Sequence, residues 1–172
     1  MMSHLVEVPE LETERLRLRL PLHAEFSTYR DLFGSSRARF MGELDELRAW
    51  REFAAEIGLW ALFGYGPWHV LRKKDGALLG AVAVLKHVEQ PEIELGWHLY
   101  DGHEGHGYIT EAATVARDWA FETHGFKSLV SYIDRDNARS IAVAERLGAT
   151  EDKTAQKVDP EDVVYRHNRV MQ

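Results

Sequence analysis

Residues 91–113, with the sequence PEIELGWHLYDGHEGHGYITEAA, decide how this chain folds. The first part of this stretch is apolar enough to predict a β-strand over residues 93–99. A polar loop with two glycines follows over residues 105–109. An apolar stripe with helical spacing then predicts a helix over residues 109–124, closed by Gly125 at the left-handed C-cap position. A strand, a glycine-containing loop and a helix N-terminus in this order can hold a phosphate.

The flanking sequence predicts further strands and helices, which make the chain an α+β protein. Residues 12–21 alternate leucine with arginine, as a half-buried strand does. Residues 43–57 carry apolar side chains at three- and four-residue spacing, which indicates a helix. We expect residues 1–172 to form one domain. The remaining predicted elements are a helix over 23–33, strands over 68–72, 77–85 and 129–133, a helix over 137–147, and a terminal hairpin over 149–157 and 163–170.

The aromatic stretch over residues 58–68, GLWALFGYGPW, has two interpretations. Its large side chains could form a rigid apolar wall of a substrate pocket. They could instead pack in the core beneath a loop, which is where most large apolar side chains of globular proteins lie. Core packing is the favoured interpretation.

Composition excludes several classes of function. The net charge of −7 argues against a general nucleic-acid binder, which would carry a clustered basic face. There is no cysteine, so a disulfide framework, a thiol nucleophile and a thiolate metal site are excluded. No apolar run is long enough to cross a membrane, and the N-terminus lacks a signal-peptide core. We expect a cytoplasmic protein with no nucleic-acid or membrane partner. Its oligomeric state stays open, with a homodimer as one option.

The glycine loop predicts a phosphate or pyrophosphate ligand. Gly105 and Gly107 let the backbone approach a ligand closely, and the following helix end adds unpaired N–H groups. A tight turn that merely needs small residues is the alternative. A P-loop is excluded because no Gly-Lys-Ser/Thr sequence occurs. A dinucleotide fingerprint is disfavoured because Thr110 replaces its third glycine, and Asp134 follows later than the roughly 20 residues expected.

Five segments resemble one known family, the GNAT-type N-acetyltransferases. Residues 104–112, EGHGYITEA, resemble the acyl-CoA-binding loop of that family. The subgroup that contains the ribosomal-protein alanine N-acetyltransferases is the most similar in pattern. The other matching segments are Asn137 with Ser140, residues 146–148 (RLG), residues 13–18 (TERLRL) and residues 94–97 (ELGW).

The resemblance implies a fold and a place for a co-substrate. The fold would be a mixed, mostly antiparallel sheet of about seven strands, flanked by about four helices. Acetyl-CoA would lie in a central splay between the strands over residues 93–99 and 129–133. Its pantetheine would pair with the strand backbone, its pyrophosphate would bind the loop amides, and two side chains would contact it from the opposite wall. The residues implied for pantetheine are Trp97, His98 and Leu99. Those implied for the pyrophosphate are Gly105, His106, Gly107, Tyr108 and Ile109. Those implied for the opposite wall are Asn137 and Ser140.

Two residues depart from the family's loop pattern. Glu104 stands where the family has Gln or Arg, and Ile109 where it has Gly or Ala. Because a carboxylate next to a pyrophosphate is unfavourable, we expect Glu104 to point outward. The backbone amides would then carry the binding, with His103 and His106 as the available cations.

The implied reaction is direct attack of an amine on the thioester, which needs a base. Glu94 is the candidate, and a structural ion pair between Glu94 and an arginine is the alternative. Tyr108 and His98 are weaker candidates for proton transfer. Some related enzymes use a tyrosine on the last helix as the acid, and Ala144 occupies that position here.

The leading hypothesis is an acetyl-CoA-dependent N-acetyltransferase that acts on a primary amine, either a small molecule or a protein N-terminus. A catalytically silent acyl-CoA-binding sensor with the same fold is the alternative. A dinucleotide-dependent oxidoreductase ranks last. A zinc site at His98, His103 and His106 is disfavoured by loop spacing and missing carboxylate support, so we expect no metal.

Overall fold

The computed structural model describes residues 6–169, with eight strands and four α-helices. Two short 3₁₀ turns, His23–Glu25 and Ser36–Ala38, precede α1 and follow it. Within the described range, no helix combines the length and apolar composition that a bilayer crossing requires. The elements are β1 (Leu11–Glu12), β2 (Leu16–Arg19), α1 (Phe26–Phe33), α2 (Glu46–Phe63), β3 (Pro67–Arg72), β4 (Leu78–Leu85), β5 (Glu94–Leu99), α3 (Tyr108–His124), β6 (Ser128–Asp134), α4 (Ala138–Arg146), β7 (Thr150–Glu151) and β8 (Asp162–Asn168).

All eight strands form one sheet in the order β1-β2-β3-β4-β5-β6-β8-β7. Every neighbouring pair is antiparallel except β5 and β6. The predicted mixed, mostly antiparallel sheet with four helices is therefore confirmed. One strand more than expected is present because the predicted first strand is a small hairpin. Its turn is closed by the Thr13 N–H, which donates to the Leu16 carbonyl at 3.0 Å. The last residue of the predicted terminal strand, Val170, lies outside the described range.

Small side chains let α3 pack closely on the sheet. Its inward face carries four fully buried alanines, and the helix contacts β4 and β5. The helix ends at Gly125, whose φ of 66° is the predicted left-handed C-cap. Leu16 and Leu18 of β2 are fully buried in the same core cluster. The four alanines are Ala112, Ala113, Ala116 and Ala120.

Helix α2 corrects one prediction. It does not end at residue 57 but continues through Gly58 to Phe63, and Gly64 ends it with a φ of 74°. The helix survives Gly58 because Trp60, in its next turn, packs edge-on against Trp68, with 4.7 Å between ring centroids. The favoured interpretation of the aromatic stretch, core packing, holds for Trp60, Tyr65 and Trp68, which are buried, whereas Phe63 is half exposed. The alternative, a pocket wall, is wrong because none of its four aromatic rings lines the cavities described below.

The sheet opens between β5 and β6. These strands pair at a single register, Glu94 opposite Val130. The Ser131 hydroxyl donates to the Leu95 carbonyl at 2.6 Å and also lies 3.0 Å from His167 Nε2. Beyond Leu95 the two strands no longer pair, so the predicted splay is present.

Gly80 tests how tightly β4 and β5 are held. A Cβ on Gly80 would overlap the His98 carbonyl oxygen and lie 3.0 Å from the Leu99 Cα. Gly80→Ala should therefore lower the free energy of unfolding by about 1–3 kcal/mol, measured by urea denaturation. Gly58→Ala is the control, because a Cβ there meets no atom within 4 Å in a helix interior. It should be neutral or stabilise by up to about 1 kcal/mol. Equal losses in both variants would contradict this account.

Candidate functional site

The free edge of β5 presents backbone groups to the splay. The Ile93 carbonyl accepts from the Val130 N–H at 3.0 Å, whereas the Tyr100 N–H donates to Leu79 on β4 at 2.9 Å. Because the backbone groups of successive strand residues point to alternate sides, those of Trp97 and Leu99 face the splay. An extended ligand can pair with them as a further strand would.

The glycine loop beyond β5 is built to expose amides. Gly105 and Gly107 have φ values of 81° and 75°, which residues with a side chain rarely adopt. Gly107 is the N-cap of α3, no side chain caps this end, and the first helical bond runs from Glu111 N–H to the Gly107 carbonyl at 3.1 Å. The first amides of α3 therefore stay available to a ligand.

The N-terminal hairpin holds this helix end in place through Glu111. The Arg15 guanidinium contacts the Glu111 carboxylate at 2.6 and 2.7 Å, and the Thr13 hydroxyl also donates to it. The residues that resemble the family at the N-terminus thus act on the loop from 96 positions away.

Tyr108 lies on the same side as that hairpin. Its hydroxyl accepts from Arg72 at 3.4 Å, and the Arg15 guanidinium lies 4.8 Å from the centre of its ring. Tyr108 lines the cavity at the loop but not the cavity that contains Glu94. The structure therefore does not bring the two predicted catalytic side chains together.

Three cavities follow one another along β5 and α4. The loop cavity, of about 1090 Å³, lies between the glycine loop and Arg139. The splay cavity, of about 540 Å³, shares Leu99 and Ile109 with it. The carboxylate cavity, of about 670 Å³, shares Trp97 and Ser140 with the splay cavity and contains Glu94. All ten predicted co-substrate residues line at least one of the three: Trp97, His98, Leu99, Gly105, His106, Gly107, Tyr108, Ile109, Asn137 and Ser140.

Helix α4 supplies the wall opposite β5. The Asn137 side chain accepts from the Ser140 N–H at 3.2 Å and so caps this helix beside the splay. Ala144 faces the other way and is fully buried against Ile133 and Tyr165. A side chain at position 144 would therefore enter the core rather than the cavities.

Glu104 does not point outward, which corrects that expectation. Its carboxylate forms an ion pair with Arg37 from the α1–α2 connection and lines both the loop and the splay cavities. Burial opposes ionisation, but backbone N–H groups and the Arg37 charge outweigh it and lower the pKa of Glu104. Arg37 also contacts Asp101 and lies 3.5 Å from the Leu99 carbonyl. Arg37, from another element of the chain, thus neutralises the Glu104 carboxylate.

Glu94 faces the carboxylate cavity and has no basic partner within residues 6–169. Burial raises the pKa of Glu94 to about 7; the Asp162 charge adds to this effect, and a hydrogen bond from Gln90 opposes it. The alternative interpretation required an ion pair between Glu94 and an arginine. Among the described residues no such pair forms, and Arg166 pairs instead with Glu92, at 2.7 Å. A carboxylate that titrates near neutrality can accept a proton.

His98 is a neutral buried group. Burial, with the His69 charge, lowers the pKa of His98 to about 3. Its ring packs edge-on against Tyr100 at 5.3 Å, and its Nε2 has no partner within residues 6–169. His98 is therefore a poor proton carrier at neutral pH. His106 lies elsewhere, 5.4 Å from the Tyr108 ring, so the three histidines of the zinc hypothesis do not converge.

Two carboxylates of this site were not predicted from the sequence. Glu52 and Glu56 are one turn apart on α2, and both line the carboxylate cavity. Burial, with the charges of Glu52 and Glu94, raises the pKa of Glu56 to about 8. A signal for Glu56 exists in the sequence, because it interrupts the buried stripe of α2. The buried members of that stripe are Ala49, Phe53 and Trp60.

Comparison with known proteins places this geometry in one family. Uncharacterized protein YkkB of Bacillus subtilis (strain 168) is 32% identical over 105 residues, 60% of this chain and 61% of that protein. The crystal structure of an acetyltransferase from Agrobacterium tumefaciens str. C58 is 42% identical and superimposes with a TM-score of 0.92, covering 98% of this chain and 99% of that one. The ribosomal-protein-S5-alanine acetyltransferase from Vibrio fischeri shares the fold at 19% identity, with a TM-score of 0.72 and coverage of 93% and 96%.

A family model described as an acetyltransferase (GNAT) domain matches residues 15–150, from just before β2 to the start of β7. The match contains the open strand edge, the glycine loop, the cap of α4 and Glu94. The resemblance seen in the sequence is therefore confirmed, and the chain belongs to the GNAT acetyltransferase family.

Proposed function

We propose that this protein transfers an acetyl group from acetyl-CoA to a primary amine by direct attack. The observation that carries this proposal is the continuity of one path. It begins at the amides of the glycine loop, follows the free edge of β5 and ends at a buried carboxylate with a pKa near 7. The acceptor is a small molecule or a protein N-terminus.

The donor half of the path suits acetyl-CoA. Pantetheine is an extended chain with amide groups, and the backbone groups of Trp97 and Leu99 that face the splay offer complementary donors and acceptors. The Leu99 carbonyl among them also lies 3.5 Å from Arg37. The pyrophosphate would bind the amides of residues 105–109 and the positive end of the α3 dipole. Arg37 and Arg139 line the same cavities and add positive charge. Asn137 and Ser140 would contact the donor from the α4 side.

Glu94 is the proposed base in the acceptor half. An amine reaches the site mostly as its ammonium form, so it must lose a proton before its nitrogen can attack. Glu94 takes that proton, the nitrogen bonds to the acetyl carbon, and the carbon–sulfur bond breaks. The nitrogen then loses a second proton, the sulfur leaves as CoA thiolate and takes up that second proton, and Glu94 releases the first proton to solvent. The Trp97 N–H faces the splay and is the available donor to the carbonyl oxygen on which charge develops.

Positioning is the second contribution that the fold would make to the rate. The splay ends at the Leu95 carbonyl, which the Ser131 hydroxyl holds, so a donor chain along β5 cannot slide deeper. Holding the donor and the amine in one orientation converts a two-molecule encounter into a local step.

A catalytically silent acyl-CoA sensor is the second candidate. One observation on α4 favours it. The residues of α4 that line the cavities include no carboxylic acid and no tyrosine, so none of them can act as an acid toward the leaving thiolate. An amine panel separates the candidates by measuring CoA release together with the mass of each product. Turnover on any amine supports the transferase. Tight acetyl-CoA binding without turnover on any amine would support the sensor. Stabilisation by NAD and not by CoA would point to the oxidoreductase instead.

Gly107 tests the loop assignment. A Cβ at this position would meet only Arg15, at 3.8 Å, so there is room for a side chain. Glycine is needed because the backbone is left-handed here, with a φ of 75°. Gly107→Val should raise the Kd for CoA at least tenfold, since a β-branched residue is strained by about 1–2 kcal/mol or more in this conformation. Gly107→Asn is the matched control, because asparagine tolerates this backbone and should bind within a few-fold of the parent. Isothermal titration with CoA measures both, and unchanged affinity in the valine variant would refute the assignment.

Glu94 gives a prediction with a defined pH dependence. Since only the ionised carboxylate accepts a proton, kcat should rise with pH and level off above pH 7. Glu94→Gln should lower kcat about 100-fold or more above pH 7 and abolish that inflection. Because burial disfavours the ionised form, the carboxylate costs stability as pH rises through its raised pKa. The glutamine variant should therefore stay folded at pH 8.

Glu92→Gln is the control for that experiment. It removes the carboxylate that pairs with Arg166, two residues before Glu94. It should lower the melting temperature and leave the pH profile of kcat in place. A Glu94→Gln enzyme with the parent's rate and inflection would show that Glu94 is not the base.

A further inference from the structure

The carboxylate cavity is rich in acidic groups and poor in basic ones. Six carboxylates line it, together with one arginine, Arg39. In the described part of the chain, none of the six forms an ion pair with a lysine or an arginine. A cavity with this lining is complementary to a positively charged ligand. The six are Glu52, Glu56, Glu94, Asp134, Asp159 and Asp162.

The carboxylates of α2 form a compact group apart from the proposed base. Glu52 and Glu56 lie one turn apart, and their oxygens and a ring nitrogen of His87 all lie within 4.8 Å of one another. The nearest described cation for this group is His87, 3.6 Å from Glu52 and charged only when protonated. Two like charges held this close disfavour each other unless a cation joins them.

Tyr29 is an independent sign that a ligand group enters here. Its side chain is only 2% exposed and lines the same cavity from α1, yet its hydroxyl has no partner within residues 6–169. Buried phenol hydroxyls are normally hydrogen-bonded. The charges of Glu52 and Glu56 reach this hydroxyl and, together with its burial, raise the pKa of Tyr29. A donor or acceptor from a ligand between these three side chains would satisfy it.

We infer that the acceptor is a small amine with a second positive charge, of the α,ω-diamine or polyamine class. Its distal ammonium would lie between Glu52, Glu56 and Tyr29 while its reacting nitrogen lies at Glu94. This inference rests on the proposed acetyl transfer. A cavity of about 670 Å³ falls in the range of small-molecule sites. A protein N-terminus with a single ammonium would leave the α2 carboxylates unpaired.

The test compares matched amines on matched variants. The parent enzyme is assayed with an α,ω-diamine, the monoamine of equal chain length and an amino-acid amide that mimics a protein N-terminus. The diamine should have a kcat/KM on the order of ten- to a hundredfold above the monoamine, as expected for a charge-assisted hydrogen-bonded ion pair. The amide should resemble the monoamine.

Two variants locate the second charge. Glu56→Gln should reduce the diamine preference at least tenfold, and Tyr29→Phe should reduce it several-fold. The tyrosine variant is the safer one for folding, because its hydroxyl has no hydrogen bond to lose. Both should bind acetyl-CoA with the parent's Kd. Glu122→Gln removes one charge from the exposed side of α3 and should change neither ratio nor affinity.

The outcomes separate the inference from the proposed function. Equal kcat/KM for the diamine and the monoamine, or a preference that survives both variants, overturns the inference and leaves acetyl transfer standing. Binding of acetyl-CoA with no turnover on any amine overturns the proposed function and the inference with it. Stoichiometric binding of zinc in a titration with the metal alone, lost in Glu56→Gln, would show that Glu52, Glu56 and His87 hold a metal and would also overturn the inference.

Discussion

The molecule depends on one constraint, the single register at which β5 and β6 pair. At Glu94 and Val130 β5 has a strand on each side, and along the rest of its length β5 pairs with β4 alone. Unpaired backbone groups in a protein interior need partners, so this strand edge is incomplete until a ligand joins it. The Ser131 hydroxyl, bonded to the Leu95 carbonyl, marks where protein pairing ends. The three cavities, the loop and Glu94 are all arranged along the edge that this constraint creates.

The two ends of that edge use different chemistry. At the loop end, the proposed recognition relies on backbone amides, which lie beside two glycines with positive φ and beside the ion pair between Arg15 and Glu111. At the other end, side chains from α1, α2, β5 and β6 line the cavity, and six of the lining residues are acidic whereas one is an arginine. Arg37 lies between the two ends and forms an ion pair with Glu104. This pair neutralises the carboxylate that comes directly before the glycine loop.

Much of the acetyl-CoA half of the site could be predicted from the sequence, because the elements that form it are neighbours in the chain. Strand, loop and helix are adjacent in the chain, so their pattern predicted a phosphate-holding junction, and the family resemblance added the ten proposed co-substrate residues, all of which line the three cavities. The rest depended on distant contacts. Arg37 meets Glu104 across 67 residues, and no local pattern announces that pair. The true length of α2 was hidden because Gly58 and Gly64 both look like helix breakers, and only Gly64 ends the helix. The position of the Tyr108 hydroxyl also depends on a distant contact, because Arg72, on another strand, donates a hydrogen bond to it.

The reliance of the loop on its backbone has a consequence for how such a protein can change over generations. Any substitution except proline leaves the peptide N–H in place, so the outward side chains of the loop can vary with little effect on the donors it offers. The cavity around Glu56 and Tyr29 has no such protection, since a single codon there alters its charge or its shape. The loop should therefore keep its ligand while its sequence varies. One or two substitutions in the cavity around Glu56 and Tyr29 could instead change which acceptor fits there.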